Sequence, residues 1–249
     1  EFIEETLGPA AENAVLVVAT SDESPMLRRL APKTAMTIAE TLRDEGDSVL
    51  LIVDSITRYA HALRDVALAA GEPPVARGYT PSVFSELPRL LERAGPGPEG
   101  AGSITGVFSV LVDGDDHNDP VADNVRGTLD GHIVLDRAIA NRGRFPAIDL
   151  LASVSRLAHH AWTPDQQKLV VKLKSIVALY EDTRDLRAMG GHQAGRDPEL
   201  DHAIDLTPRI YAALTQSPGG PASVDAFREL AELLSHSTEP QAPRQAPRP

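Results

Sequence analysis

Apolar positions along this chain fall into two alternating patterns. Continuous runs of strand length occur at Ala14–Thr20, Val49–Asp54, Ile104–Val112 and His132–Leu135, and segments of helical period separate them. This alternation predicts an α/β fold, a mostly parallel sheet flanked by helices, because a parallel strand is buried on both faces and reads as an unbroken run. Helix starts are marked by a capping residue followed by proline at Ser24-Pro25, Thr80-Pro81, Asp119-Pro120 and Thr163-Pro164. The side-chain oxygen satisfies an orphan amide, and proline at the first helical position gives up only a donor that has no partner there. From Thr163 the pattern is helical throughout: Leu169, Val170, Leu173, Ile176, Val177 and Tyr180 form one stripe, and no strand-like run follows. The expected organisation is an α/β core over 1–162, a small all-helical C-terminal domain over 163–235, and a disordered, polyproline-leaning tail over 236–249, where Gln-Ala-Pro-Arg occurs twice.

Composition narrows the possibilities. A length of 249 residues accommodates one large domain, or one with a smaller companion. With 36 acidic against 24 basic residues the net charge is −12, which argues against a groove built for a phosphate backbone and hence against nucleic acid as a partner. There is no cysteine, so no disulfide or thiolate chemistry. The sequence has no 18-residue apolar run and no signal-peptide pattern, and it reads as a soluble, intracellular protein. Glu1–Leu7 has helical spacing and no initiator methionine, and is read as the interior of an element at the front of a fragment.

The candidate chemistry begins at Ser48–Ser55, an apolar run that ends in Asp54 and passes at once into Thr57, Arg58 and a helix-like segment. Ligands of α/β sheets lie at the carboxyl ends of strands, so Asp54 stands where a magnesium-bound nucleotide would, in the manner of a Walker B carboxylate. The bland alternative is an ordinary buried strand that ends in Asp. The usual companion, a G-x-x-x-x-G-K-[ST] phosphate loop, is absent from these residues: the lysines are Lys33, Lys168, Lys172 and Lys174, and none follows a glycine. Asp113–Asp119 invites a calcium reading, but Asn118 and Asn124 stand where an EF-hand loop needs its glycine and its glutamate. His159-His160 suggests a metal pair, yet neighbours on a helix do not face each other, and a surface pair is the reading preferred.

Read in order, Asp54-Ser55-Ile56-Thr57-Arg58-Tyr59-Ala60, Gly71-Glu72-Pro73-Pro74 with Arg77-Gly78-Tyr79, Gly102-Ser103-Ile104-Thr105, Gly114-Asp115-Asp116 with Asp119-Pro120, Leu129–Leu135 and Asp197–Ile204 make the chain similar to the flagellar and type III secretion export ATPases. These are relatives of the catalytic subunits of rotary ATP synthases. The resemblance implies a RecA-like core in a homo-hexamer, with ATP and Mg²⁺ lying between adjacent subunits. It makes Asp54 the carboxylate that holds Mg²⁺ mainly through its water shell, and turns Arg58, one helical turn on, toward the same pocket. Arg156, in Ser153-Val154-Ser155-Arg156, matches the arginine finger that reaches into the neighbouring subunit's site. Phe145 falls where the family usually has a tyrosine stacked on adenine. The Tyr79 loop and the acidic loop are implied to lie toward a central pore, with Thr80 in place of the family's usual proline.

The resemblance further implies cytoplasmic work at the inner-membrane export gate, peripheral to the membrane at most. Export-apparatus proteins, substrates and chaperones are the implied partners, contacted by the helical domain. The phosphate loop and the glutamate that polarises water precede this point in the family, so residues 1–249 alone are expected not to hydrolyse ATP. Two other readings share these residues: a non-catalytic nucleotide-binding or assembly subunit of a rotary-ATPase-like complex, and a ring helicase. The acidic charge and the lack of an aromatic and basic surface count against the helicase.

Overall fold

The computed structural model describes residues 4, 7–112, 114, 116, 118–217 and 219–235. By backbone contacts the chain divides into two compact units, Glu1–Leu129 and Asp130–Pro249. The sequence pattern set its division at 162/163 instead. The tail, Asp113, Asp115, His117 and most of Glu1–Leu7 lie outside the described residues.

The first unit runs α1 (Pro25–Asp44), β1 (Ser48–Val53), α2 (Ile56–Ala69), α3 (Pro81–Leu91), β2 (Gly95–Pro96), β3 (Ser103–Phe108) and α4 (Pro120–Thr128). Its sheet has the order β1-β3-β2, with β1 and β3 parallel, Val49 opposite Ile104 and Val53 opposite Phe108, and β2 antiparallel to β3. The proline-marked starts are where α1, α3 and α4 begin. Ser24 accepts from the Leu27 amide, and Asp119 accepts from Val121 and Ala122. Thr80 caps nothing; its buried hydroxyl pairs with that of Ser82, whose amide donates to Glu72 at 2.8 Å. The chain enters β3 through Gly102, where a Cβ would lie 1.8 Å from the Asp47 carbonyl oxygen, so only glycine passes.

One face of this sheet carries the core. Leu51, Val53 and Ile104 pack with Met36 of α1, Ile56 and Tyr59 of α2, and Val83 and Leu87 of α3. On the other face Leu50 and Ile52 are 62 % and 61 % exposed. The unbroken run predicted burial on both sides; the structure alternates, because no described element covers the second face. The run at Ala14–Thr20 belongs to no strand, since none of its backbone pairs in a ladder among the described residues.

Charged ties hold α1 to α3. Lys33 Nζ lies 2.6 Å from Glu86 Oε2, and the Arg93 guanidinium grips Glu40 with both nitrogens, at 2.8 and 2.5 Å. The paired forks keep the Glu40 carboxyl below the usual glutamate range, first through the Arg93 hydrogen bond; Lys33 does the same for Glu86. Beneath them the Tyr59 phenol is pushed up to about 12, chiefly by burial.

The second unit holds β4 (Gly131–Leu135), α5 (Arg137–Asn141), β5 (Ile148–Ser155), α6 (Ala158–Ala161), α7 (Pro164–Asp182), α8 (Arg184–Ala188), α9 (Pro198–Ala213) and α10 (Ala226–Ser235). β4 and β5 pair antiparallel, with an irregularity between His132 and Val134. The Ser153 hydroxyl repairs it by accepting from the Val134 amide at 3.0 Å. The pattern did not foresee β5, where Asp149 and Ser153 interrupt the apolar run. The helical stripe of α7 is confirmed: Leu173, Ile176 and Val177 are buried against Ala203, Leu206 and Ile210 of α9 and Leu234 of α10. Thr163 and Gln166 form a reciprocal capping box at its start. No described helix is long and apolar enough to cross a membrane.

Because both carboxylates are held below their unfolded values, their stabilising contribution is present above about pH 4.3 and is lost as the pH falls through the lower folded values. Glu40→Gln is expected to cost about 1 kcal/mol at pH 7, and thermal melts should show that difference shrinking below pH 4.

Candidate functional site

At the carboxyl end of β1 lies a cavity of about 360 Å³ lined by Asp54, Arg58, Arg28, His61, Thr20 and Ser21 among others. A volume of this order is within the range of small-molecule sites. Asp54 is the first residue after β1, and its position follows from how the two parallel strands end. The ladder does not stop at Val53: Ser109 donates its amide to the Val53 carbonyl at 3.0 Å, and the Ile56 amide returns to the Ser109 carbonyl at 2.9 Å. One step on, the Thr57 hydroxyl accepts from the Leu111 amide at 2.9 Å and donates to the Leu111 carbonyl at 3.1 Å. A side chain of α2 therefore replaces the missing strand partner.

Ser55 caps α2 by accepting from the Arg58 amide at 3.4 Å, so the strand turns into helix within two residues of Asp54. The Asp54 carboxylate is exposed, and its Oδ1 accepts from the Ser109 hydroxyl at 2.8 Å. Arg58 stands in the first turn of α2, exposed on the same cavity, with no ion pair of its own among the described residues. The structure thus sets Asp54 and Arg58 on one cavity. It adds Ser109, which sequence reasoning missed. The available signal was register: once β1 and β3 are aligned as parallel neighbours, residues 54 and 109 come level.

The donor set suits a hard cation bound through few protein ligands. Among the described residues no group of three or more His, Asp or Glu side chains is arranged to hold a metal. Asp54 offers one carboxylate, which is the share magnesium usually takes from protein when waters and phosphate oxygens supply the rest.

Two loops of the first unit are joined nearby. Arg77, in the left-handed region at φ 46°, pairs with Asp116 and lies 4.0 Å from Asp119. Tyr79 is buried, stacked on His61 with centroids 5.9 Å apart and edge-on to Phe84 at 6.1 Å. Thr80, also fully buried, continues this anchored segment.

Phe145 and Arg156 belong to the second unit. Phe145 is 53 % exposed, with its carbonyl accepting from the Gln216 amide at 2.8 Å. Such exposure is not that of a core phenylalanine. Arg156 follows β5, and its amide donates to the Asp130 carbonyl at 2.7 Å. Lys174 of α7 donates to the Ser153 carbonyl at 2.9 Å, tying the segment that leads to Arg156 to the helices. His159 and His160 are both exposed on the short helix α6, the surface pair preferred from the sequence, and their ring centroids lie 3.9 Å apart although neighbours on a helix do not ordinarily face each other.

An acidic residue at the end of a parallel strand, beside an arginine and over a ligand-sized cavity, is the arrangement of a ligand-binding α/β domain. The family model described as ATP synthase alpha/beta family, nucleotide-binding domain, matches residues 1–155, and that of the T3SS EscN ATPase C-terminal domain matches residues 162–232. The chain belongs to the ATP synthase alpha/beta family. It is 65 % identical to a flagellum-specific ATP synthase of Rhizobium meliloti, an alignment covering 94 % of this chain and 50 % of that protein. To the flagellum-specific ATP synthase of Agrobacterium fabrum it is 61 % identical, over 100 % of this chain and 52 % of that one. Among solved structures, the assembled ATPase EscN of the enteropathogenic E. coli type III secretion system is 43 % identical, with a TM-score of 0.86 over 95 % of this chain and 58 % of that one. The chain spans about half the length of the curated relatives it matches.

Removing the Thr57 hydroxyl should free the end of β3. In Thr57→Val the Leu111 amide is expected to exchange with deuterium roughly tenfold faster than in the parent chain, about the loss of one net hydrogen bond.

Proposed function

We propose that the chain is part of a homo-hexameric ATPase that couples ATP hydrolysis to protein export through a flagellar or type III secretion apparatus. The observation that carries this reading is the Asp54 carboxylate, held by Ser109 at the carboxyl end of β1 beside Arg58. The names of the similar proteins, flagellum-specific ATP synthases and a secretion-system ATPase, support the export setting.

In this reading Asp54 holds Mg²⁺, mostly through water, and Arg58 steadies phosphate or the catalytic carboxylate on the same side of the cavity. Bound Mg²⁺ supplies positive charge against the β- and γ-phosphate oxygens. Arg156 serves the site of an adjacent copy, where its planar guanidinium places two donors on the γ-phosphate and stabilises charge as it spreads. Phe145 offers an open aromatic face to adenine; the exposure of its ring supports that role. The division of labour follows residues 1–162 as the ATPase core and 163–235 as the helical domain that meets export-apparatus proteins, substrates and chaperones. The complex works in the cytoplasm, peripherally at the inner-membrane export gate.

Phosphate release from purified protein tests this. The 249-residue chain alone is expected to release none, and the complete reading frame that contains these residues to hydrolyse ATP. In the latter, Arg156→Ala should lower kcat by about 10³-fold, and Asp54→Asn should reduce turnover to background. Mixing those two inactive variants should restore turnover, because some interfaces then pair an intact Asp54 with an intact Arg156. A complete protein that does not hydrolyse ATP, or a mixture that stays inactive, counts against the reading.

A further inference from the structure

We infer that Ser109 is a positioning residue for Asp54, holding one carboxylate oxygen so that the other is presented to the metal. The inference rests on the nucleotide-site reading above and concerns a residue outside the set Asp54, Arg58, Phe145 and Arg156.

The Ser109 hydroxyl has one proton and two acceptors in reach. Asp54 Oδ1 lies at 2.8 Å and the Val53 carbonyl at 3.5 Å. The first is the usual length for a hydroxyl donor and the second is at the limit, and the charged acceptor is also the stronger one. The proton therefore goes to Asp54. Oδ2 accepts no hydrogen bond among the described residues.

Rigidity makes this bond useful. An exposed aspartate turns freely about χ2, a broad two-fold torsion, so its oxygens exchange places. Ser109 is not free to follow. Its amide and carbonyl are both taken by the ladder that links Val53, Ser109 and Ile56, and Leu111, two residues on, is clamped by Thr57. The hydroxyl is a donor on a fixed backbone, and it selects one rotamer of the carboxylate. A cation that keeps most of its water takes little from the protein beyond one well-aimed carboxylate, so orienting that group is where a neighbouring side chain has most effect.

The test is fluorescence titration with N-methylanthraniloyl-ADP, with and without Mg²⁺, on the protein expressed from the complete reading frame. Parallel variants are Ser109→Ala, Ser109→Thr and Asp54→Asn. Ser109→Ala is expected to weaken binding in Mg²⁺ roughly tenfold, to leave metal-free binding unchanged, and to be rescued by the hydroxyl of Ser109→Thr. If Ser109→Ala binds as the parent does while Asp54→Asn loses its Mg²⁺ dependence, the role of Ser109 is overturned and the site reading stands. An equal loss with and without Mg²⁺ also overturns it, since that marks a general structural defect. If Asp54→Asn keeps full Mg²⁺ dependence, the assignment of Asp54 fails first, and the positioning role fails with it.

Discussion

The parallel pairing of β1 with β3 is the constraint on which the site depends. Parallel strands run out at the same end of a sheet, so whatever follows them emerges side by side. Here the pairing extends beyond both strands, through the amides of Ser109 and Ile56 and then through the Thr57 hydroxyl. A backbone ladder would have needed β1 to continue; instead the chain turns into α2, and a threonine side chain supplies the donor and acceptor that the helix withholds. Asp54 is consequently carried on a short, doubly anchored corner rather than on a free loop.

Helices α1, α2 and α3 stabilise that corner from one side only. Their apolar residues bury Leu51 and Val53, and the Lys33–Glu86 and Arg93–Glu40 pairs span the rim of the same packing. Ion pairs at partly exposed positions contribute modestly, but the bidentate Arg93–Glu40 fork also fixes orientation, and together with the single Lys33–Glu86 bond it resists sliding of α1 along α3 and the turn that follows it. Tyr79 extends the arrangement into the loop before α3, where His61 of α2 and Phe84 of α3 enclose its ring. Arg77 then joins that loop to the segment after β3. The two loops thus share a frame with the strand ends that carry Asp54 and Ser109.

The second unit uses a different device for a comparable purpose. Ser153 bridges the irregularity in the β4–β5 pair, and Lys174 binds its carbonyl from α7. Arg156, three residues later, is placed by that repaired hairpin and by the Asp130 carbonyl. Three residues past the end of α9 the Gln216 amide donates to the Phe145 carbonyl, so the backbone that carries the open aromatic ring is held in place.

Much of this was visible in the sequence by itself because it depends on local chemistry. Proline after a capping residue marks a helix start wherever it stands, and α1, α3, α4 and α7 begin as expected. The period of the apolar residues identified β1, β3, β4 and the buried stripe of α7, and the polar residue closing a strand run singled out Asp54. What the sequence did not disclose depends on partners distant in the chain. Ala14–Thr20 has the composition of a strand, yet a strand exists only where another backbone pairs with it. Leu50 and Ile52 are as apolar as Leu51 and Val53, and their exposure is decided by which face the helices cover. β5 exists through its pairing with β4 and the Ser153 hydrogen bond, despite an interrupted apolar pattern. Ser109 is an unexceptional serine until the register of two strands, more than fifty residues apart in the chain, sets its hydroxyl against the Asp54 carboxylate.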